Sequence, residues 1–157
     1  MLTINIPGNE NLQLNHLVLD YNGTLAIDGQ LIDGVAERLQ ALANSLQIHV
    51  VTADTFGSVE TALEGVDCKL AILPPNHSQD IAKLEYIEHL DSTATVTIGN
   101  GRNDHLMLKS AALGIAVIQA EGIAVETLTA ADVVTGDILA ALDLLQNPKR
   151  LVATLRS

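Results

Sequence analysis

The sequence predicts an α/β fold built on a mainly parallel sheet, and three observations carry that prediction. Short apolar runs alternate along the chain with segments of helical period. The runs are continuously apolar rather than alternating, as strands covered on both faces require. Apolar residues make up 48% of the chain and aromatics only 2%, so Leu, Ile, Val and Ala must fill the core. At 157 residues the chain is expected to form one domain, 1–157. A chain of that size buries roughly two-thirds of its unfolded surface. It shows no repeat, low-complexity tract or interdomain linker.

Taken in order, "LTINI" and "LQLNH" flank the turn signal "PGNE" and read as an N-terminal β-hairpin leading into the first core strand. Strands are expected at "HLVLD", "IHVVTA", "KLAIL", "TVTIG", "GIAVI" and "DVVT". After Asp33-Gly34, the residues Val35, Leu39, Leu42 and Leu46 make one helical stripe. Ile81, Leu84, Ile87 and Leu90 make another, following "PPNHSQD". Residues 103–112, 122–130 and 137–146 read as three more helices. Pro148 stops the last, and "KRLVATLRS" is expected to add a final turn or helix.

Charge and cysteine content narrow the function classes. Eight Lys and Arg stand against nineteen Asp and Glu, a formal net charge of −11. No basic stripe is available for phosphate backbones, and Phe56, Tyr21 and Tyr86 are too few for a base-stacking platform. Nucleic acid and membrane are therefore not expected as partners. A small phosphorylated ligand remains compatible, because one Lys, a metal ion and backbone amides can hold it. Cys68 is the only cysteine, reads as a packed thiol at a strand start, and cannot form an internal disulfide. No apolar run has bilayer-spanning length and "MLTINIPGNENLQ" is not a signal peptide, so a cytoplasmic protein is expected.

Ligands of open α/β sheets sit beyond the carboxyl ends of the strands. The first core strand ends in Asp20-Tyr21-Asn22-Gly23-Thr24 and the second in Thr52-Ala53-Asp54. A helix then carries Lys83, and the fourth strand runs into "GNGRND", Gly99 to Asp104. Two carboxylates, two hydroxyls, a lysine and a glycine turn on one edge are the parts that bind Mg²⁺ and a phosphoryl group. Each has a duller role alone. Asp20 could cap a turn, Thr24 and Thr52 could be β-branched turn residues, and Lys83 could be solvated. Asp54 could N-cap a helix beginning near Phe56. The histidines at 16, 49, 77, 89 and 105 show no zinc-ligand spacing, although His105 adjoins Asp104. Arg102 is either a solvated charge or an anion contact.

Four motifs in order resemble the haloacid dehalogenase (HAD) superfamily, and within it the phosphorylation domain of P-type ATPases: "DYNGTL", "TAD", "DIAKLEYI" and "GNGRNDHLMLKSAALGIAV". The later "EGIAVETLTAADVV" is similar to that domain's closing segment, so the resemblance runs from about Leu17 to Leu145. It implies a three-layer α/β/α, Rossmann-like (HAD-like) fold. By that resemblance Asp20 is the nucleophile that forms an aspartyl-phosphate, and Asp20, the Asn22 carbonyl, Asn100 and Asp104 form the Mg²⁺ site. Thr52 and Lys83 hold the phosphoryl oxygens, with Gly23 and Ala53 completing the phosphate-binding set.

Two departures matter. The family's phosphatases carry an acid two residues after the nucleophile, where this chain has Asn22, an amide that cannot exchange a proton near neutral pH. Losing a general acid–base costs about 10²- to 10⁴-fold. P-type ATPases also lack an acid there, and their aspartyl-phosphate persists. Asn100 stands where the family has another aspartate, which lowers the charge available to a hard cation. Only Leu25 to Val51 separates Thr24 from Thr52, enough for one loop and one helix but not for a cap or nucleotide-binding domain. The expectation is a slow, capless, Mg²⁺-dependent phosphohydrolase or phosphotransferase, its open site admitting a small phosphorylated substrate or a partner protein's covering surface. The alternative is a catalytically weakened binding or regulatory module that senses phosphate, metal or nucleotide.

Overall fold

The computed structural model describes residues 1–53 and 57–157. Asp54, which the sequence offers as a helix cap, lies outside the described residues, as does Phe56. An antiparallel hairpin, β1 (Leu2–Ile4) and β2 (Leu12–Leu14), opens the chain, with Leu2 opposite Leu14. The core strands follow: β3 (His16–Asp20), β6 (Gln47–Thr52), β7 (Cys68–Ile72), β8 (Thr95–Gly99), β9 (Leu113–Val117) and β10 (Val133–Thr135). They form one parallel sheet in the order β10-β9-β8-β3-β6-β7. All five residues of β8 and β9 are buried, as strands covered on both faces require, and the Thr95 and Thr97 hydroxyls of β8 donate to the Asp91 and Met107 carbonyls.

Side chains alternate across the sheet, and this sorts the core into two layers. Leu17 and Leu19 of β3 face a large aliphatic cluster with α1 (Val35–Leu42), α6 (Ile138–Gln146), α7 (Pro148–Leu155) and the N-terminal hairpin. Val18 faces the other way, onto Ile87 of α3 (Gln79–Leu90) and Met107 and Leu108 of α4 (His105–Ser110). Asp20 shares the parity of Val18, so the strand aims it towards the α3 layer. The short α2 (Ser58–Ala62) and α5 (Val125–Ala130) complete the helices. No helix among the described residues is long and apolar enough to cross a membrane.

Several elements differ from the sequence expectation, each for a local reason. The stripe to Leu46 implies a longer first helix, but α1 ends at Leu42; Leu46 is buried in the turn beyond. The stripe Ile81–Leu84–Ile87–Leu90 does not face the core as a unit: Ile81 is 44% exposed, and the buried residues are Ala82, Lys83 and Ile87. The helix is turned so that Lys83 points inward. The expected helix over 103–112 starts as a 3₁₀ turn, Arg102–Asp104, and stops at Ser110 because β9 begins at Leu113. The one over 122–130 begins only at Val125. A second small hairpin, β4 (Ala26–Ile27) with β5 (Gln30–Leu31), was not expected. Asp28 and Gly29 join it with φ 52 and 77, the left-handed pair that an Asp-Gly turn favours.

Candidate functional site

β3 lies between β6 and β8, and the chain leaves it for one neighbour first and reaches the other later. Asp20, the last residue of β3, thus sits at the point where strand order reverses, the usual crevice of such sheets. Lys83 Nζ lies 2.7 Å from Asp20 Oδ1 and 2.6 Å from Asp104 Oδ1. Lys83 is 1% exposed, Asp104 0% and Asp20 7%, so two carboxylates share one ammonium in a nearly dry setting. The duller reading of Lys83 as a solvated helix lysine is thereby corrected; removing a charge this deep from water demands partners, and both are acids.

The other oxygens are engaged as well. The Thr24 hydroxyl lies 3.1 Å from Asp20 Oδ2 and 3.2 Å from Asn100 Oδ1. Asp104 Oδ2 accepts the backbone amides of Asn100 at 3.0 Å and Gly101 at 2.9 Å. That carboxylate closes the loop after β8, and Gly99 leaves room for it: a Cβ there would sit 2.5 Å from Asp104. Gly23 has φ 79 and passes so close to Asn100 that a Cβ would lie 2.7 Å from its amide nitrogen. Both positions demand glycine, one for space and one for backbone and space.

Burial, followed by the Asp104 charge, pushes the Asp20 carboxyl up to about 7, against the pull of Lys83 and Thr24. Burial alone would lower Lys83; its two carboxylate partners outweigh this and hold it above the ordinary lysine value. The cluster therefore keeps the lysine charged and leaves the nucleophile candidate short of positive charge.

The remaining predicted residues are placed as follows. Asn22 is exposed at the rim and bridges to Ala26. Thr52 ends β6, 2% exposed, one residue beyond the register pair Asp20–Val51, and Ala53 follows it at the surface. Arg102 pairs with Glu126 at 3.1 Å on an exposed surface, and His105 Nδ1 is 2.7 Å from the Arg102 carbonyl oxygen, so neither enters the cluster. Burial and then Asp67 push the Cys68 thiol up, as befits a packed side chain.

Among the described residues, no three His, Cys, Asp or Glu side chains converge as a metal cluster. What the edge offers a cation is an all-oxygen set: the Asp20 and Asp104 carboxylates and the Asn100 amide oxygen, linked through Lys83 and the Thr24 hydroxyl. Such hard donors fit Mg²⁺, with one formal charge fewer than three acids would supply.

One contributor was missed in the sequence. Gln119 donates from Nε2 to the carbonyls of Gly23, at 3.1 Å, and Thr24. The same rule that collected residues after the earlier strands would have found it, two residues beyond β9.

No family model matches the chain. Its fold is that of the HAD superfamily. It is similar to the 3-deoxy-D-manno-octulosonate 8-phosphate phosphatase of Moraxella catarrhalis, solved with magnesium, phosphate and KDO: TM-score 0.67, 18% identity, 92% of this chain and 94% of that one. The cobalt-bound deoxy-D-mannose-octulosonate 8-phosphate phosphatase of Haemophilus influenzae has TM-score 0.70 at 13% identity, over 92% and 94% of the two chains. A zinc-transporting PIB-type ATPase in the E2.Pi state has TM-score 0.59 at 24% identity, over 79% of this chain but 20% of that one. At the level of sequence, the chain belongs to the same family as the uncharacterized protein MJ0073 of Methanocaldococcus jannaschii, 48% identical over 83 residues, 50% of this chain and 89% of that protein. The uncharacterized MJ0072 of the same organism is 46% identical over 39 residues, 25% of this chain and 89% of that protein.

Proposed function

We propose that the protein is a Mg²⁺-dependent phosphohydrolase or phosphotransferase that acts through an aspartyl-phosphate on Asp20. The observation that carries this reading is the buried Lys83, held between Asp20 and Asp104 at the carboxyl edge of the sheet. Phosphoryl transfer needs positioning and charge neutralisation more than covalent help from several groups. Lys83 and Thr24 fix the two oxygens of Asp20, so one carboxylate lone pair can be directed in line at phosphorus. A new O–P bond then forms at Asp20 as the bond from phosphorus to the leaving oxygen breaks, and solvent protonates that oxygen. Thr52 and the backbone at Gly23 and Ala53 hold the transferred oxygens. Mg²⁺, held by Asp20, the Asn22 carbonyl, Asn100 and Asp104, would supply charge neutralisation at the phosphoryl group. A small phosphorylated substrate reaching an open site in the cytoplasm is the setting this reading implies, and the sugar-acid phosphatases of the same fold support it.

The test is mass spectrometry of the intact protein and its peptides after incubation with Mg²⁺ and acetyl phosphate, with phosphate release followed in parallel. A phosphoryl adduct on Asp20, absent from Asp20→Asn, is the expected result. An Asp20→Asn protein that releases phosphate as fast as the parent would sink the assignment. With an amide at position 22, the adduct should decay slowly, and Asn22→Asp should speed its hydrolysis by about 10-fold or more.

Asn22 and Asn100 favour a second reading, a binding or regulatory module that senses phosphate, metal or nucleotide without turnover. It predicts a thermal shift with Mg²⁺ and phosphate analogues in a protein that forms no adduct.

A further inference from the structure

The turn at 119–124 joins β9 to α5 and starts with a backbone that its side chain should disfavour. Gln119 has φ 50, in the left-handed region that glycine or asparagine occupies at lower cost. A glutamine kept in that conformation points to work done by the side chain. Its Nε2 donates to the carbonyls of both Gly23 and Thr24, and its Oε1 accepts the Ile138 amide at 3.2 Å. One amide group therefore satisfies two acceptors on the Asp20 loop and one donor at the first turn of α6. The opposite amide orientation would set its oxygen against two carbonyls, so the partners themselves fix which atom is nitrogen.

The rest of the turn is fastened to the same place. Asn100 Nδ2 donates to the Gly122 carbonyl at 3.1 Å, and the Ala124 amide donates to the Asn100 carbonyl at 3.0 Å. Glu121 Oε1 accepts the Asp28 amide at 3.4 Å, reaching across to the hairpin that follows Thr24. What is held matters chemically. Gly23 has φ 79 and no side chain. Within the loop its amide donates to the Ala26 carbonyl at 2.8 Å and the Thr24 amide to the Tyr21 carbonyl at 3.2 Å, and Gln119 adds the hold on the Gly23 and Thr24 carbonyls from outside. The two carbonyls that Gln119 holds flank the Thr24 Cα, and so bear on where the Thr24 hydroxyl meets Asp20 Oδ2 at 3.1 Å.

From this geometry we infer that Gln119 is a positioning residue of the phosphoryl site, an inference that rests on the function proposed above. It touches none of the reacting atoms. It acts by fixing the Gly23 and Thr24 carbonyls, and through them the aim of Asp20.

The test compares the parent with Gln119→Gly and Gln119→Asn, both of which suit a positive φ while removing or shortening the clamp. Gln119→Glu keeps the length and loses both donors. The rate of adduct formation on Asp20 from acetyl phosphate is measured well below each melting temperature, alongside amide hydrogen exchange of residues 22–26. All three variants should form the adduct about 10- to 100-fold more slowly at saturating acetyl phosphate, with a smaller change in its apparent affinity. Exchange at Gly23 to Ala26 should be faster than in the parent. A turn that serves stability alone would lower the melting temperature and leave the rate of adduct formation at the parent's value, and that result overturns the inference. If the parent itself forms no adduct, the proposed function fails, and unchanged exchange protection at 22–26 in Gln119→Gly then overturns the positioning role independently.

Discussion

Asn100 looks in the sequence like an aspartate that has lost its charge, but its surroundings show what the amide contributes. Its Oδ1 lies 3.2 Å from the Thr24 hydroxyl while its Nδ2 donates to the Gly122 carbonyl, and a carboxylate can do only the first. Asn100→Asp would set a negative oxygen against that carbonyl, near the Glu121 carboxylate that also crowds Gly23. The substitution is therefore expected to cost about 1–3 kcal/mol in denaturant unfolding. Tighter Mg²⁺ binding with undiminished stability would show that the Gly122 contact is dispensable. Asn22 differs in kind: it is exposed at the rim, so Asn22→Asp changes chemistry without disturbing packing.

At the scale of elements, α3 serves two structures at once. Lys83 reaches Asp20, and one turn later the Tyr86 hydroxyl lies 2.9 Å from His49 Nδ1 on β6, whose Nε2 is 3.2 Å from His16 Nδ1 on β3. Burial, then the His16 and Lys69 charges, lowers His49 from 6.5 to about 4. Between those values the unfolded chain binds the extra proton, so this group's contribution makes stability rise with pH and fall on acidification from 6.5 towards 4. Asp20 acts in the opposite sense. Its folded value of about 7 exceeds 3.8, so the folded state holds a proton that the unfolded chain has lost, and stability falls as pH rises through that window. Thermal melts of metal-free parent and Asp20→Asn across the range from about pH 4 to about pH 8 separate the two. Asp20→Asn should be the more stable protein at the upper end, and its remaining slope at the lower end should be positive. A parent more stable than Asp20→Asn at about pH 8 would mean that Lys83 fully compensates both carboxylates.

For the whole molecule the net charge of −11 sets the balance. Of the described cations outside the site, Arg38 pairs with Asp143 at 2.7 Å and Arg102 with Glu126 at 3.1 Å, and such solvent-accessible pairs contribute little. Self-repulsion among the remaining carboxylates should therefore outweigh the loss of screened ion pairs. Raising NaCl from about 0.05 M to about 0.5 M is expected to raise the melting temperature. A fall would place more of the stability in ion pairs than their exposure allows. The two chain ends also meet: the Ser157 hydroxyl donates to the Gly8 carbonyl at 3.2 Å, fastening the N-terminal hairpin beside the end of α7.

Much of this architecture was legible in the letters. Short apolar-rich runs located all six core strands within about a residue or two, because strands in the middle of such a sheet are covered on both faces and carry few polar positions. Asp20 and Asp104 could be chosen because chemistry-bearing residues follow strand ends in such sheets, and Lys83, inside a helix, through the resemblance of "DIAKLEYI" to the HAD lysine motif. Other features needed the tertiary structure. Helical period assigned α3 a face through Ile81, whereas pairing with two buried carboxylates turned Lys83 inward instead, a long-range charge requirement that no local repeat records. The Gln119 clamp and the double use of the Asn100 amide join residues 95 and 22 positions away in the chain, through hydrogen bonds whose partners exist only once the sheet has assembled. The sequence by itself determined the strands and the chemical groups at their ends. Tertiary structure alone decided which of those groups share a proton, a charge or a hydrogen bond, because those interactions depend on distances of about 3 Å between segments far apart in the chain.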